Sequence, residues 1–122
     1  MQKEQRLRKK AEFLKVQRQG KWWSNRLLVL RALPNDRELS RFGFLVSGRV
    51  GNAVVRNRIK RRLKEVVRRE PVRDGWDVVF IARAEIARAT FADAESAVRD
   101  LLRRGGCGGA PRRMDHLPKG NR

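Results

Sequence analysis

The chain is poor in the residues from which most catalytic and metal sites are built. Cys107 is its only cysteine and lies in a glycine-rich stretch, so it offers neither a disulfide framework nor two thiols at metal-ligand spacing. On this reading it is an incidental thiol. His116 is the only histidine, which leaves no material for a histidine-based catalytic pair or a zinc site. There is no run of about 18 apolar residues and no signal-peptide segment, so a reducing cytoplasm is the expected compartment. Acidic residues are scarce too: 13 Asp and Glu stand against 31 Lys and Arg, a formal charge of +18. Solubility does not require so large a field, and it attracts polyanions, either nucleic acid or an anionic membrane.

What is present is enough to fold. A length of 122 residues with 40% hydrophobic composition suits one domain with a core of modest volume. The first twenty residues mix charges with Leu7, Ala11, Phe13, Leu14 and Val16, and fit a short basic helix stopping at Gly20. RLLVLRAL, residues 26 to 33, and RFGFLVS, residues 41 to 47, read as two strands joined by PNDRE, and a hairpin between them is expected. WDVVFIARAEI, residues 76 to 86, holds the continuous apolar run of a buried strand. TFADAESAVRDLLRR, residues 90 to 104, opens on a Thr N-cap with Asp93 at capping-box distance and sets Phe91, Ala94, Val98, Leu101 and Leu102 on one helix face. From Gly105 to Arg122, glycine, proline and charge without periodicity suggest a disordered tail, so the domain is expected to span residues 1 to 104.

The segment NAVVRNRIKRRLKEVVRRE, residues 52 to 70, stands apart. Asn52 is placed as an N-cap, and Val55, Ile59, Leu63, Val66 and Val67 fall within an arc of about 120° at helical spacing, a core-facing stripe. Eight of its nineteen residues are Lys or Arg, opposed only by Glu65 and Glu70. A solvated face laced with ion pairs is the ordinary explanation of such a run, but two carboxylates cannot serve eight cations. Like charges at i,i+4, such as Arg58 with Arg62 and Lys60 with Lys64, repel by about tenths of a kcal/mol each. An external polyanion would relieve them. The preponderance of Arg over Lys, 23 to 8, suits bidentate phosphate contact and stacking on bases. A membrane-binding helix would carry Trp, Phe or Leu on its apolar face, whereas this stripe is largely β-branched and is needed to cover the strands. A helix ligand of the calmodulin-target kind would need bulky anchors and a free segment, and this one lies inside a domain.

The run AVVRNRIKRRLKEVVR, led by GN and preceded by FGFLVS, resembles the signature of the bacterial ribonuclease P protein subunit. Its mark is an Arg-Asn-Arg helix, here Arg56, Asn57 and Arg58, followed by Lys60 and Arg61. FLKVQRQGKWWSNRLLVL resembles that family's first helix and strand, and DVVFIARAEI with TFADAESAVRDLL its last strand and helix, so the likeness covers roughly residues 6 to 104. The resemblance implies an α+β fold, a two-layer sandwich of order αβββαβα. Its four-stranded sheet would hold the basic helix in a left-handed βαβ crossover, where patterning alone would default to the right-handed connection.

The resemblance also implies a function. The chain would be the protein subunit of a ribonucleoprotein endonuclease that removes the 5′ leader of precursor tRNA. Its RNA subunit carries the Mg2+-dependent hydrolysis, and the protein has no catalytic residues and no metal site of its own. The implied partners are the catalytic RNA and precursor tRNA, with no membrane and no obligate protein partner. Contacts to the catalytic RNA fall on Arg56, Asn57, Arg58, Lys60 and Arg61, with Lys64 one turn further on, while Arg62 beside the apolar stripe is expected to lay its stem over the core. The single-stranded leader would lie in a cleft between the first helix and the sheet. Phe13 matches an aromatic of that cleft, and Gln17 and Arg31 stand where other members often carry aromatics, Arg31 being able to stack through its guanidinium. Trp22 and Trp23 are either replacement platforms or hydrophobic cover, cover being the favoured reading. Gly48 replaces a cation common in the family, leaving Arg49 alone before the basic helix. Two rivals within nucleic-acid binding remain, a ribosomal protein of similar size and charge and a DNA-binding domain; the latter lacks a helix-turn-helix spacing or a zinc ligand set.

Overall fold

The computed structural model describes residues 3–108. A 3-10 turn, Lys3–Gln5, precedes the first helix, α1 (Lys10–Gln19), whose start is held by the Glu12 carboxylate accepting from the N–H groups of Arg8 at 2.9 Å and Lys9 at 3.2 Å. The helix stops at Gly20, as expected, with the Gly20 N–H on the Val16 carbonyl. Strands β1 (Lys21–Ser24) and β2 (Leu28–Pro34) form a hairpin around Asn25, whose Oδ1 accepts from the N–H groups of Leu27 and Leu28. Then follow β3 (Arg41–Leu45), α2 (Ala53–Arg69), β4 (Trp76–Ala82), a 3-10 turn (Ala84–Arg88) and α3 (Phe91–Arg104). This is the αβββαβα order, an α+β fold.

The sheet runs β1-β2-β4-β3, with β4 antiparallel to β2 and parallel to β3. The expected hairpin between residues 26–33 and 41–47 is therefore overturned. β4 lies between those strands, and β2 makes its hairpin with β1. The reason is the apolar run of β4: Val78, Val79 and Phe80 are fully buried, and a strand apolar on both faces is best satisfied at the centre of a sheet with cover on each side. The strand also ends earlier than residue 86. At Ala84–Arg88 the chain turns back so that Ile86 is fully buried against the core.

Helices α2 and α3 cover one face of the sheet. There Ile59, Leu63, Val66 and Val67 of α2 and Val98, Leu101 and Leu102 of α3 join Leu28, Leu30, Phe42, Phe44, Val78 and Phe80 in one cluster, with Phe44 and Phe80 stacked at 5.9 Å. On the other face α1 covers only part of the sheet, through a smaller cluster of Leu7, Val16 and Val79 with Phe13, Leu33, Leu45 and Ile81 packed on it. Thr90 caps α3 by accepting from Asp93 N–H at 3.0 Å, and the Asp93 carboxylate returns to Thr90 N–H, the capping box read from the sequence.

The packed chain runs past Arg104, which corrects the expected start of a tail at Gly105. Cys107 is fully buried in the main core, its carbonyl accepts from Arg73 N–H at 2.7 Å, and Gly108 bridges Val72. Burial pushes the Cys107 thiol up to about 12. Gly105 sits at a close approach: a Cβ there would meet Leu30 Cδ2 at 2.9 Å and the Leu101 carbonyl at 3.2 Å, so any larger residue would have to displace the Leu30 side chain. His116 and the rest of the expected tail from residue 109 lie outside the described residues.

One buried ionic cluster ties α1 to the sheet. Asp77 accepts from Arg41 Nη2 at 2.7 Å, Arg41 Nε at 2.9 Å and Asn35 Nδ2 at 2.8 Å, and Arg41 Nη1 reaches Glu12 at 2.9 Å. The side chains of Arg41 and Asp77 are only 13% and 7% exposed, so removing Arg41 leaves the buried Asp77 carboxylate with the neutral Asn35 amide in place of a cation. Arg41→Ala should therefore cost about 3 kcal/mol in urea denaturation, well above the value for a surface pair. The Glu12 carboxyl is held below its usual 4.5 chiefly by the Arg8 N–H, aided by the Lys9 N–H and Arg41. A depressed carboxylate stabilises above its unfolded value and loses that contribution as pH falls. Stability should thus decline below about pH 4.5, and more gently in Glu12→Gln.

Candidate nucleic-acid interface

Two surfaces answer to the residues singled out in the sequence. The first is the outer side of α2. Asn52 caps the helix by accepting from Val55 N–H at 3.0 Å, and no carboxylate occupies the first turn, so the positive end of the helix dipole is not offset there. Ile59, Leu63, Val66 and Val67 are buried and fix the rotation of the helix. That rotation turns Asn57, Arg58, Arg61 and Lys64 outward, all exposed, together with Val54, which is 73% exposed.

The remaining expected contact residues are placed differently. Arg56 and Lys60 are half-buried at the margins of the stripe, and the Nε of Arg56 is buried without a hydrogen-bond partner among the described residues. Arg62 is half-buried and donates from Nη1 to the Ala89 carbonyl at 3.0 Å, bracing the segment before α3, in keeping with the structural role expected of it. The shortage of acid is deeper than the sequence count suggested. Glu65 pairs with both Arg68 at 2.6 Å and Arg69 at 2.9 Å, while Glu70 pairs with Arg99 of α3 at 2.9 Å and so relieves no cation of α2. Arg69 also stands 5.6 Å from the centre of the Phe91 ring. Among the described residues Arg58, Lys60, Arg61 and Lys64 have no ion-pair partner. Arg49 and Gly48 are exposed just before the helix, and a Cβ at Gly48 would meet nothing, so no steric demand explains that glycine.

The second surface is the sheet face that α1 covers only in part. Cross-strand register places Trp22, Arg31, Val79 and Gly43 in one row, and Ser24, Val29, Ile81 and Leu45 in the next on the same face. In the second row every residue is half-buried. Phe13 is half-buried with its ring against Gly43. Gln17 and Arg31 are brought together, as Arg31 Nη1 donates to the Gln17 carbonyl at 2.9 Å, tying the guanidinium to the last turn of α1. The tryptophans part company: Trp23 packs on the main core, while Trp22 is 60% exposed. Alternation along β1 is the signal that separates them, and it becomes readable only once the register with β2 is known.

The described residues contain no group of three or more His, Cys, Asp or Glu side chains that could hold a metal ion, and no helix long and apolar enough to cross a membrane. A family model described as ribonuclease P matches residues 1–106. The ribonuclease P protein component of Roseiflexus castenholzii is 44% identical over 109 residues, covering 87% of this chain and 89% of that protein. That of Dehalococcoides mccartyi is 45% identical over 102 residues, covering 84% and 85%. Among solved structures, the Staphylococcus aureus RNase P protein is similar with a TM-score of 0.79 at 28% identity, over 86% of this chain and 98% of that one. The Thermotoga maritima RNase P protein gives 0.72 at 33% identity, over 81% and 96%.

The contact between Phe13 and Gly43 can be tested alone. A Cβ at Gly43 would collide with the Phe13 ring, so Gly43→Ala should push the ring off β3 and destabilise by about 1 to 3 kcal/mol. In Phe13→Ala the obstacle is gone, and adding Gly43→Ala should cost under about 1 kcal/mol more. A double-mutant cycle by chemical denaturation measures the coupling.

Proposed function

Because the chain belongs to the ribonuclease P protein family, we propose that it is the protein subunit of a ribonucleoprotein that removes the 5′ leader of precursor tRNA in the cytoplasm. The observation that carries the reading is the outward arc of α2, where Arg58, Arg61 and Lys64 have no ion-pair partner among the described residues. Arg58, Arg61 and Lys64 neutralise phosphates of the catalytic RNA, Arg58 and Arg61 in bidentate fashion, and Asn57 bonds a sugar or backbone oxygen between them. Arg56 and Lys60 reach the same RNA from the margins of the helix. Because the apolar stripe holds α2 rigidly on the sheet, the arc meets the RNA already formed, and little ordering cost is left for binding.

The cleft beside α1 receives the single-stranded leader. Phe13 offers a ring, Arg31 a guanidinium oriented by the Gln17 carbonyl, and Val29, Ile81 and Leu45 an apolar floor. Hydrolysis belongs to the RNA subunit, with Mg2+ held by RNA phosphates and substrate, hard oxygen ligands of the kind that ion prefers. The protein contributes affinity and position, holding the leader so that the scissile bond stays with the ribozyme. No other protein is needed for this assembly.

Reconstitution with a bacterial ribonuclease P RNA separates the two roles of α2. Arg58→Ala and Arg61→Ala should change folding stability by less than about 0.5 kcal/mol. Each should nevertheless weaken RNA binding and reduce the slope of log affinity against log salt by roughly 0.7 to 0.9. Leu63→Ala should do the opposite, costing about 2 to 5 kcal/mol of stability while the folded fraction keeps the wild-type salt slope. Unchanged affinity and slope in both arginine variants would remove the reading.

A further inference from the structure

Trp22 is the largest apolar side chain left open among the described residues, and nothing in the fold explains its exposure. Its neighbour Trp23 points to the opposite face of the sheet and closes the core edge beside Gly105. Trp22 faces the other way, in the cross-strand row that continues through Arg31 and Val79 to Gly43, where the Phe13 ring lies. The row is three strand spacings long, about 14 Å, with an aromatic ring at each end and the Arg31 guanidinium between them. No aromatic or cation–π partner occupies the Trp22 indole among the described residues. Arg31, its cross-strand partner, donates from Nη1 to the Gln17 carbonyl at 2.9 Å.

We propose that Trp22 is a stacking platform for an unpaired nucleotide of the leader, placing a second aromatic at the far end of the cleft from Phe13. The occupant follows from the setting. An exposed indole suits a base, and the charge next to it on the same face is cationic: Arg31 is its cross-strand partner, and Arg18 stands exposed in the last turn of the helix leading into the strand. A partner protein would need a continuous apolar patch around the ring, whereas its nearest neighbours on this face include the Arg31 cation and the polar Ser24. The platform also answers what the sequence left open. Gln17 and Arg31 supply no ring to this face, and Trp22 places an aromatic there one strand outward from Arg31.

The inference rests on the leader-cleft reading, and the experiment keeps the two apart. Wild type, Trp22→Ala, Trp22→Phe and Phe13→Ala are each assembled with a bacterial ribonuclease P RNA. Their affinities are measured for a precursor tRNA with a single-stranded leader and for the mature tRNA. Trp22→Ala should weaken precursor binding on the order of 5- to 100-fold, with mature tRNA unchanged, and Trp22→Phe should recover most of the loss. Phe13→Ala should show the same leader-selective loss. If Phe13→Ala discriminates but Trp22→Ala does not, the platform is wrong and the cleft stands. If neither discriminates, the cleft reading fails and takes the platform with it. An equal loss on both ligands in Trp22→Ala, or no recovery by phenylalanine, would also overturn the proposal.

Discussion

Everything in this molecule depends on the burial of one stripe of α2. Ile59, Leu63, Val66 and Val67 are each at most 3% exposed, and sinking such a side chain stabilises by roughly 1.5 to 3 kcal/mol. The like-charge contacts along the outer arc oppose the helix by only tenths of a kcal/mol each. Apolar burial therefore wins by an order of magnitude, and the helix can hold a row of cations without internal carboxylates to offset them. The same burial joins β3 to β4, because α2 lies against the sheet between two parallel neighbours. A charge pattern that would unsettle an isolated helix thus becomes a stable, preformed surface.

The opposite face of the sheet is built on a different balance. Its helix is short, and only Val16 among its residues is buried, so the hydrophobic contribution is small. The Asp77–Arg41–Glu12 cluster adds what apolar contact does not. It spans β4, β3 and α1 and so sets where the helix sits over the sheet. Partial cover is what makes a cleft: a longer or more apolar α1 would bury Val29, Ile81 and Leu45 instead of leaving them half-open. The two faces divide the labour accordingly, one sealed beneath the cationic helix and one left accessible beside Phe13, Arg31 and Trp22.

Local features were legible in the sequence and pairings were not. The Asn52 and Thr90 caps, the Gly20 stop and the α2 stripe each depend on residues within a turn or two of one another, and all are found where the pattern puts them. The hairpin expected between residues 26–33 and 41–47 failed because neighbouring strands in sequence were separated by β4, a choice made by apolar cover tens of residues away. Three strands before α2 were implied by family likeness, while patterning found only two, since KWWS is too short and too polar at its start to announce β1. The glycines on both sides of Cys107 suggest loose chain, yet they allow the backbone to lie against Leu30 and Leu102 and the thiol to be buried. At the interface, the arc of Asn57, Arg58, Arg61 and Lys64 follows from helical period alone. The half-burial of Arg56 and the exposure of Trp22 depend on how helix and strand are seated on their neighbours.

The central claim is that the outward arc of α2 is the face that meets the catalytic RNA. Cys107 is fully buried with its thiol pushed up to about 12, so a cysteine introduced at an exposed position will be the reactive one. Val54 lies on the arc, is 73% exposed and carries no charge, so Val54→Cys keeps every cation, and Arg103→Cys on α3 serves as the comparison. An iron chelate attached to either thiol and activated in the complex with a bacterial ribonuclease P RNA cleaves RNA backbone close to it. The account predicts focused cleavage of the catalytic RNA from position 54 and little from position 103. Focused cleavage from position 103 with none from position 54 would contradict it.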